Sequence, residues 1–192
     1  PFPTIPDDIT YEGIRAFWGG SADALAHLSD GAGNPTLYVT DEVLAALEGL
    51  LGEPSPDAPI AVVEAEGMVD AAWEARPLAW AIVPFDQLEP KWKVLTLDGA
   101  DVFARGFADV AYPLRLRYAV TGERAAEVEL PSWTNRDEEK MTTLVMTGVT
   151  AMAREIAYRM EENGVLYPAE YVRDLMRSAD IAHISNEIPF AD

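Results

Sequence analysis

Apolar residues in this chain come in short bursts, and the spacing within each burst alternates between helical and extended. Ile14, Phe17 and Trp18 fall on one helical face behind Thr10, which predicts a helix capped by Thr10 and stopped by Gly19-Gly20. Pro3 and Pro6 hold the preceding residues extended. Ser29 to Pro35 reads as a loop, and Thr36-Leu37-Tyr38-Val39 as a short strand. Thr40-Asp41-Glu42 then opens a helix whose stripe is Val43, Leu44, Leu47, Leu50 and Leu51. Its two first-turn acids sit where the helix dipole favours negative charge. Gly52 to Pro59 is a proline-rich break.

Further along, Ile60 to Val63 predicts a second strand and Met68 to Ala75 a short helix. Leu78-Ala79-Trp80-Ala81-Ile82-Val83 is apolar on both faces, which predicts a buried central strand, and Pro84 ends it. Phe85 to Pro90 reads as a turn or short helical segment. Trp92 to Leu97 reads as a strand closed by Asp98-Gly99. Between Tyr112 and Val120 the alternation Leu114, Leu116, Tyr118, Val120 predicts a strand.

The stretch from Glu123 to Lys140 is the most polar in the chain, and Asn135 to Lys140 reads as a linker or a solvated helix start. Beyond it, Thr142 to Met146 is β-like, Ala151 to Asn163 is helical with Gly164 as its stop, and Pro168 starts a second helix through Tyr171, Val172, Leu175 and Met176. Ile181 to Ile184 looks like a returning strand. Together these make a βαβ-like unit of about 45 residues. The pattern therefore predicts an α/β protein with a mixed sheet, followed by a βαβ-like unit.

Charge narrows the partners. The chain carries 14 Lys and Arg against 33 Asp and Glu, a formal charge of −19. A surface this negative repels phosphate backbones and anionic headgroups, so nucleic acid and membrane surfaces are not expected partners. No apolar run approaches the length that spans a bilayer, so membrane insertion is not expected. The opening Pro1-Phe2-Pro3 has neither a basic nor an apolar leader region, so a signal peptide is expected to have been removed or never to have been present. The chain contains no cysteine, which excludes disulfides, zinc–thiolate sites and cysteine nucleophiles.

Chemistry-bearing constellations are few. There is no nucleophile elbow, phosphate loop, dinucleotide fingerprint or H-E-x-x-H motif. His27 lies in an Ala/Leu-rich helix and reads as structural. His183 falls near a strand end beside Asn186 and Glu187, where α/β folds place their sites, although a hydrogen-bonded residue at a sheet edge explains it as well. Of the five tryptophans, Trp80 belongs to the apolar run, and Trp18, Trp73, Trp92 and Trp133 read as packing residues. No complete active site emerges, and no catalytic residue is assigned.

Two resemblances add to this. Asp8 to Gly20, then Ala79-Trp80-Ala81-Ile82-Val83-Pro84, then Val94 to Gly99 and Tyr112-Pro113-Leu114 follow in an order that resembles one lobe of the type II periplasmic substrate-binding proteins, in their phosphate-binding branch. Tyr167 to Leu175, Ala179-Asp180-Ile181 and Ser185-Asn186-Glu187-Ile188-Pro189-Phe190 resemble the opening of the CapA family of capsule and poly-γ-glutamate synthesis proteins, with their metallophosphoesterase-like fold. These resemblances imply a binding-protein-like lobe over 1–122, a linker over 123–141, and over 142–192 the start of a CapA-like domain that the chain does not complete.

The second resemblance implies an extracytoplasmic location and makes Asn186 and Glu187 the metal-site candidates. The family's first strand ends in Gly-Asp, whereas here the matching positions are Gly148 and Val149, and valine cannot bind a metal. A divalent metal is therefore expected only in a longer parent protein, with no cofactor in this chain. In the lobe, the start of the helix at Thr40 is the candidate ligand contact, since helix N-termini offer free backbone N–H groups. Asp41 and Glu42 at that same start argue against phosphate. Three functions remain open: a binding region for a small molecule or anionic polymer, the front of a metal-dependent phosphoesterase or polymer-processing enzyme, and a non-catalytic surface interaction domain. An open sheet edge would also support a strand-paired or swapped homodimer.

Overall fold

The computed structural model describes residues 1, 4–117, 120–129 and 134–187. The protein is mixed α/β, built from short parallel sheets and helices. The chain divides between Arg136 and Asp137 into two compact units, and each is taken by itself.

The first unit begins with β1 (Asp8–Ile9) and α1 (Tyr11–Trp18). The Thr10 hydroxyl oxygen accepts the Gly13 N–H at 3.0 Å, so α1 starts at the cap the sequence names. Gly19 and Gly20 return N–H groups to the carbonyls of Arg15 and Phe17, and Gly20 turns the chain at φ +101°. A 3₁₀ segment, Ala22–Ser29, then leads to β2 (Thr36–Val39). After β2, Thr40 accepts the Val43 N–H at 3.2 Å and opens α2 (Asp41–Leu51). β3 (Ile60–Val62), α3 (Met68–Glu74), β4 (Ala79–Ala81) and β5 (Thr96–Leu97) complete the regular elements of this unit.

Strand β2 is central, with β3 on one side and β4 on the other, all parallel. Leu37 lies opposite Ile60 in β3 and Trp80 in β4. β1 pairs separately with β5, again in parallel. The mixed sheet expected from the sequence is thus replaced by parallel pairings, with one antiparallel bridge between Leu97 and Ala100. The reason is connectivity: each of these strands is reached by a crossover, which brings strands side by side in the same direction.

The core lies where α1, the 3₁₀ segment and α2 meet these strands. Phe17, Leu25, Leu37 and Val39 are fully buried, and Ile14, Trp18, Leu47, Trp80 and Leu97 are nearly so. Burying each side chain of this size contributes about 1.5–3 kcal/mol. The Trp18 indole N–H, carried into the core, is satisfied by the Gly52 carbonyl at 2.8 Å.

Two predicted strands are not as the pattern suggested. Of Trp92 to Leu97 only Thr96 and Leu97 are β, because β1 offers just two residues to pair with. The alternation from Tyr112 gives no strand over 112–117; a 3₁₀ turn at Asp109–Ala111 precedes it. Tyr112 and Leu114 pack on the core while Leu116 stays exposed, so the alternation marks one wetted edge of an irregular segment. Tyr118 lies outside the described residues. Arg136 secures this region: its Nε donates to the Val102 carbonyl at 2.7 Å and its Nη2 to that of Ala104 at 2.8 Å, while its guanidinium lies 5.0 Å from the Phe107 ring.

The second unit holds β6 (Leu144–Thr150), α4 (Glu155–Asn163), α5 (Arg173–Ser178) and β7 (Ile181–Asn186). β6 and β7 pair in parallel, Leu144 opposite Ile181 and Thr150 opposite Asn186, with a bulge between Met146 and Val149. The helix expected from Pro168 is split into a 3₁₀ turn at Tyr167–Ala169 and the short α5. Tyr171 and Leu175, which would anchor a longer helix, are 89% and 59% exposed, and a short helix without a buried face does not propagate. None of the described residues of this unit is buried.

Candidate functional site

In open parallel sheets, ligands seat outside the carboxyl ends of the strands, where successive crossovers leave in opposite directions. The first unit has such a point at the end of β2. From β2 the chain crosses to β3 on one side, and from β3 it returns to β4 on the other. Val63 N–H bonds the Val39 carbonyl at 2.9 Å, which carries the β2–β3 ladder one residue past the strand and fixes the start of the next connection.

The segments that follow β3 and β4, on either side of β2, line one half-open depression of about 240 Å³. The segment after β3 supplies Ala65, Glu66 and Met68. The segment after β4 supplies Val83, Gln87, Glu89 and Trp92. Met68 is buried and forms apolar wall, whereas Glu66, Gln87 and Glu89 are exposed. Asp41 and Glu42 open α2 at this same edge, and Glu64 follows β3, so five carboxylates with Glu66 and Glu89 belong to the edge and its flanks. The adjacent Lys91 is committed to Asp70, with Nζ 2.7 Å from Oδ1. That hydrogen bond, reinforced by the Asp70 charge, holds the Lys91 ammonium above its ordinary pKa.

Thr40 does stand at this edge, but its hydroxyl oxygen is used within the α2 cap. Sequence reasoning did not single out Glu66, Gln87 or Glu89, and it read Trp92 as packing. The available signal was positional: all of them follow the carboxyl ends of β3 and β4.

A second group of acids lies at the β1–β5 pair. The Asp8 carboxylate accepts the Thr96 hydroxyl and, at 2.9 Å, the Gly99 N–H. The Thr96 hydroxyl first, then the Gly99 N–H, hold its pKa below the usual carboxylate range. Both oxygens of Asp98 lie 3.3 Å from the Tyr11 N–H at the start of α1. These acids fasten β1, β5 and α1 to one another.

In the second unit, Asn186 is the last residue of β7 and Glu187 follows it, with the Glu187 N–H 3.3 Å from the Thr150 carbonyl. Val149 lies opposite Ser185, and His183 opposite Met146, with His183 exposed. Among the described residues, no three His, Asp or Glu side chains gather as a metal-binding group. The stretch Ile188-Pro189-Phe190 lies outside the described residues. In the first unit His27 is exposed on its 3₁₀ segment, and Trp73 carries the Arg76 guanidinium 4.0 Å from its ring. Trp133 lies outside the described residues. No described helix is long and apolar enough to cross a membrane.

No protein-family model matches the chain, and no curated protein or solved structure matches it.

Proposed function

We propose that the first unit is a small-molecule-binding lobe of the periplasmic substrate-binding type, within a ligand-binding or accessory region of an extracytoplasmic protein linked to capsule or poly-γ-glutamate synthesis. The observation that carries the binding reading is the depression at the crossover point of the parallel sheet, lined from two separate strand connections. The link to surface polymers draws on the sequence resemblances alone. A half-open depression suits a lobe that meets its ligand from one side.

The test is a titration of the full chain followed by amide NMR, against phosphate, short glutamate oligomers, neutral sugars, amino acids and small amines. Saturable shifts confined to residues 63–68 and 83–92 are the expected result. A panel that produces no saturable shift, or shifts only elsewhere, overturns the binding-lobe reading.

A second reading, a metal-dependent phosphoesterase or polymer-processing enzyme, draws on Asn186 and Glu187 at the carboxyl end of β7. Manganese-induced line broadening at those two residues would favour it, and its absence would remove it. Val149 offers no ligand at the position where the resemblance calls for a carboxylate.

A further inference from the structure

The depression after β3 and β4 has a chemical character that narrows what it can hold. Its lining combines one indole, two carboxylates, one carboxamide and an apolar wall from Met68 and Val83, with no basic side chain. An anion brought here meets carboxylates on both connections, within a chain of net charge −19. A neutral ligand meets no opposition, but it also makes no use of the charges. An organic cation satisfies both parts of the lining: its charge faces Glu66 and Glu89, and its alkyl groups lie on an aromatic face and the methionine. Trp73 already stacks with a cation inside this molecule, Arg76 at 4.0 Å. Among the described residues Trp92 has no such internal cation, and the nearby Lys91 is held by Asp70.

We propose that this depression binds a small organic cation, an alkylated ammonium group, against Trp92 with Glu66 and Glu89 as its counter-charges. The inference rests on the binding-lobe reading and deepens it by naming the ligand class. It also departs from what the phosphate-binding resemblance implies.

The experiment uses the full chain at low ionic strength and three probes: choline, 3,3-dimethyl-1-butanol as its uncharged isostere, and inorganic phosphate. Choline is expected to give saturable amide shifts in residues 63–68 and 83–92 and to move the Trp92 indole N–H. The isostere should bind about two- to fivefold more weakly or worse, the range that exposed charge pairs and cation–π contacts supply. The double variant E66Q/E89Q should weaken choline about three- to tenfold, the modest range of exposed charge pairs, and leave the isostere unchanged, because both glutamates are exposed and the isostere carries no charge for them to face. W92L should weaken choline about two- to fivefold; if it perturbs folding, the glutamate variants still decide.

Equal binding of choline and its isostere, or phosphate binding at these residues, would overturn the cation assignment and leave the lobe reading standing. If none of the three probes shifts these residues, the cation assignment falls, and the wider ligand panel decides whether the lobe reading falls with it.

Discussion

The Phe17 ring meets the Trp80 indole edge-on, with centroids 5.1 Å apart and planes inclined by 86°. This contact joins α1 to β4, elements separated by some sixty residues of sequence, and both partners belong to the core. Edge-to-face pairing adds about 0.5–1.5 kcal/mol beyond the area buried. F17A should therefore cost about 3–5 kcal/mol in a denaturant melt. W80F should behave differently. Among the described residues, the buried Trp80 indole N–H has no partner, and phenylalanine removes that orphan donor while keeping a ring for Phe17. Its cost should be smaller than that of F17A, because removing the orphan donor offsets part of the volume lost. A W80F loss as large as that of F17A would show that the indole nitrogen is satisfied in solution.

Gly20 cannot be replaced without strain. It sits at φ +101°, and a Cβ built there would lie 2.7 Å from the Ser55 Oγ. G20A should lose about 1–3 kcal/mol, measured by thermal or chemical unfolding. Adding S55G removes the close contact but not the backbone strain, so it should recover only part of the loss. Full recovery would mean that the contact, and not φ, sets the cost.

Asp8 predicts a limb of acid instability. Its folded pKa lies below the unfolded value because the Thr96 hydroxyl and the Gly99 N–H favour the carboxylate. The stabilisation is therefore complete above the unfolded pKa and is lost as pH falls through the folded one. A carboxyl-detected NMR titration should find Asp8 titrating below an ordinary aspartate. D8N should flatten the acid side of the stability profile while leaving the neutral side little changed in slope. An Asp8 that titrates at or above the ordinary value would remove this account.

Tyr112 titrates in the opposite range. Burial disfavours its phenolate and raises its pKa. The stability it contributes is present below the unfolded tyrosine value and is lost as pH rises through the folded one. Ultraviolet titration of the native protein should show a late step above the ordinary tyrosine range, and Y112F should delete it. If that step survives in Y112F, it belongs to another tyrosine.

The two units should differ in local stability. β2 is paired on both sides, and its Leu37 and Val39 are fully buried. Among the described residues β6 and β7 pair only with each other, and Leu144, Met146, Ile181 and Ile184 are all more than half exposed. Hydrogen exchange should leave the β2 amides protected until global unfolding, while those of β6 and β7 exchange through earlier local opening. Equal protection would imply that the apolar faces of the second unit are covered in solution.

The features legible in the sequence were those set within a few residues. Thr10 and Thr40 cap α1 and α2 because a threonine hydroxyl reaches an N–H three positions on, whatever the rest of the chain does. Gly164 ends α4 for a similarly local reason, taking φ +96° where a side chain would be strained. The run around Trp80 announced a buried central strand; a strand forms there, with Ala79 and Trp80 buried, but it is only Ala79–Ala81 and lies at the sheet edge, because β2 takes the central place. What stayed illegible depended on partners. Trp92 to Leu95 carries strand-forming residues, but the two-residue β1 gives them nothing to bond. The alternation near Leu114 and Leu116 likewise found no neighbouring strand.

The candidate site divides the same way. The sequence by itself determined that Thr40 opens a helix after a strand, that the chain is strongly acidic and that no cysteine chemistry is available. Only the tertiary structure decided that Glu66, Glu89 and Trp92, from two connections on opposite sides of β2, line one depression. Caps and breaks are fixed by contacts across a single turn, whereas a site at a sheet edge exists only once strands distant in sequence have chosen their neighbours.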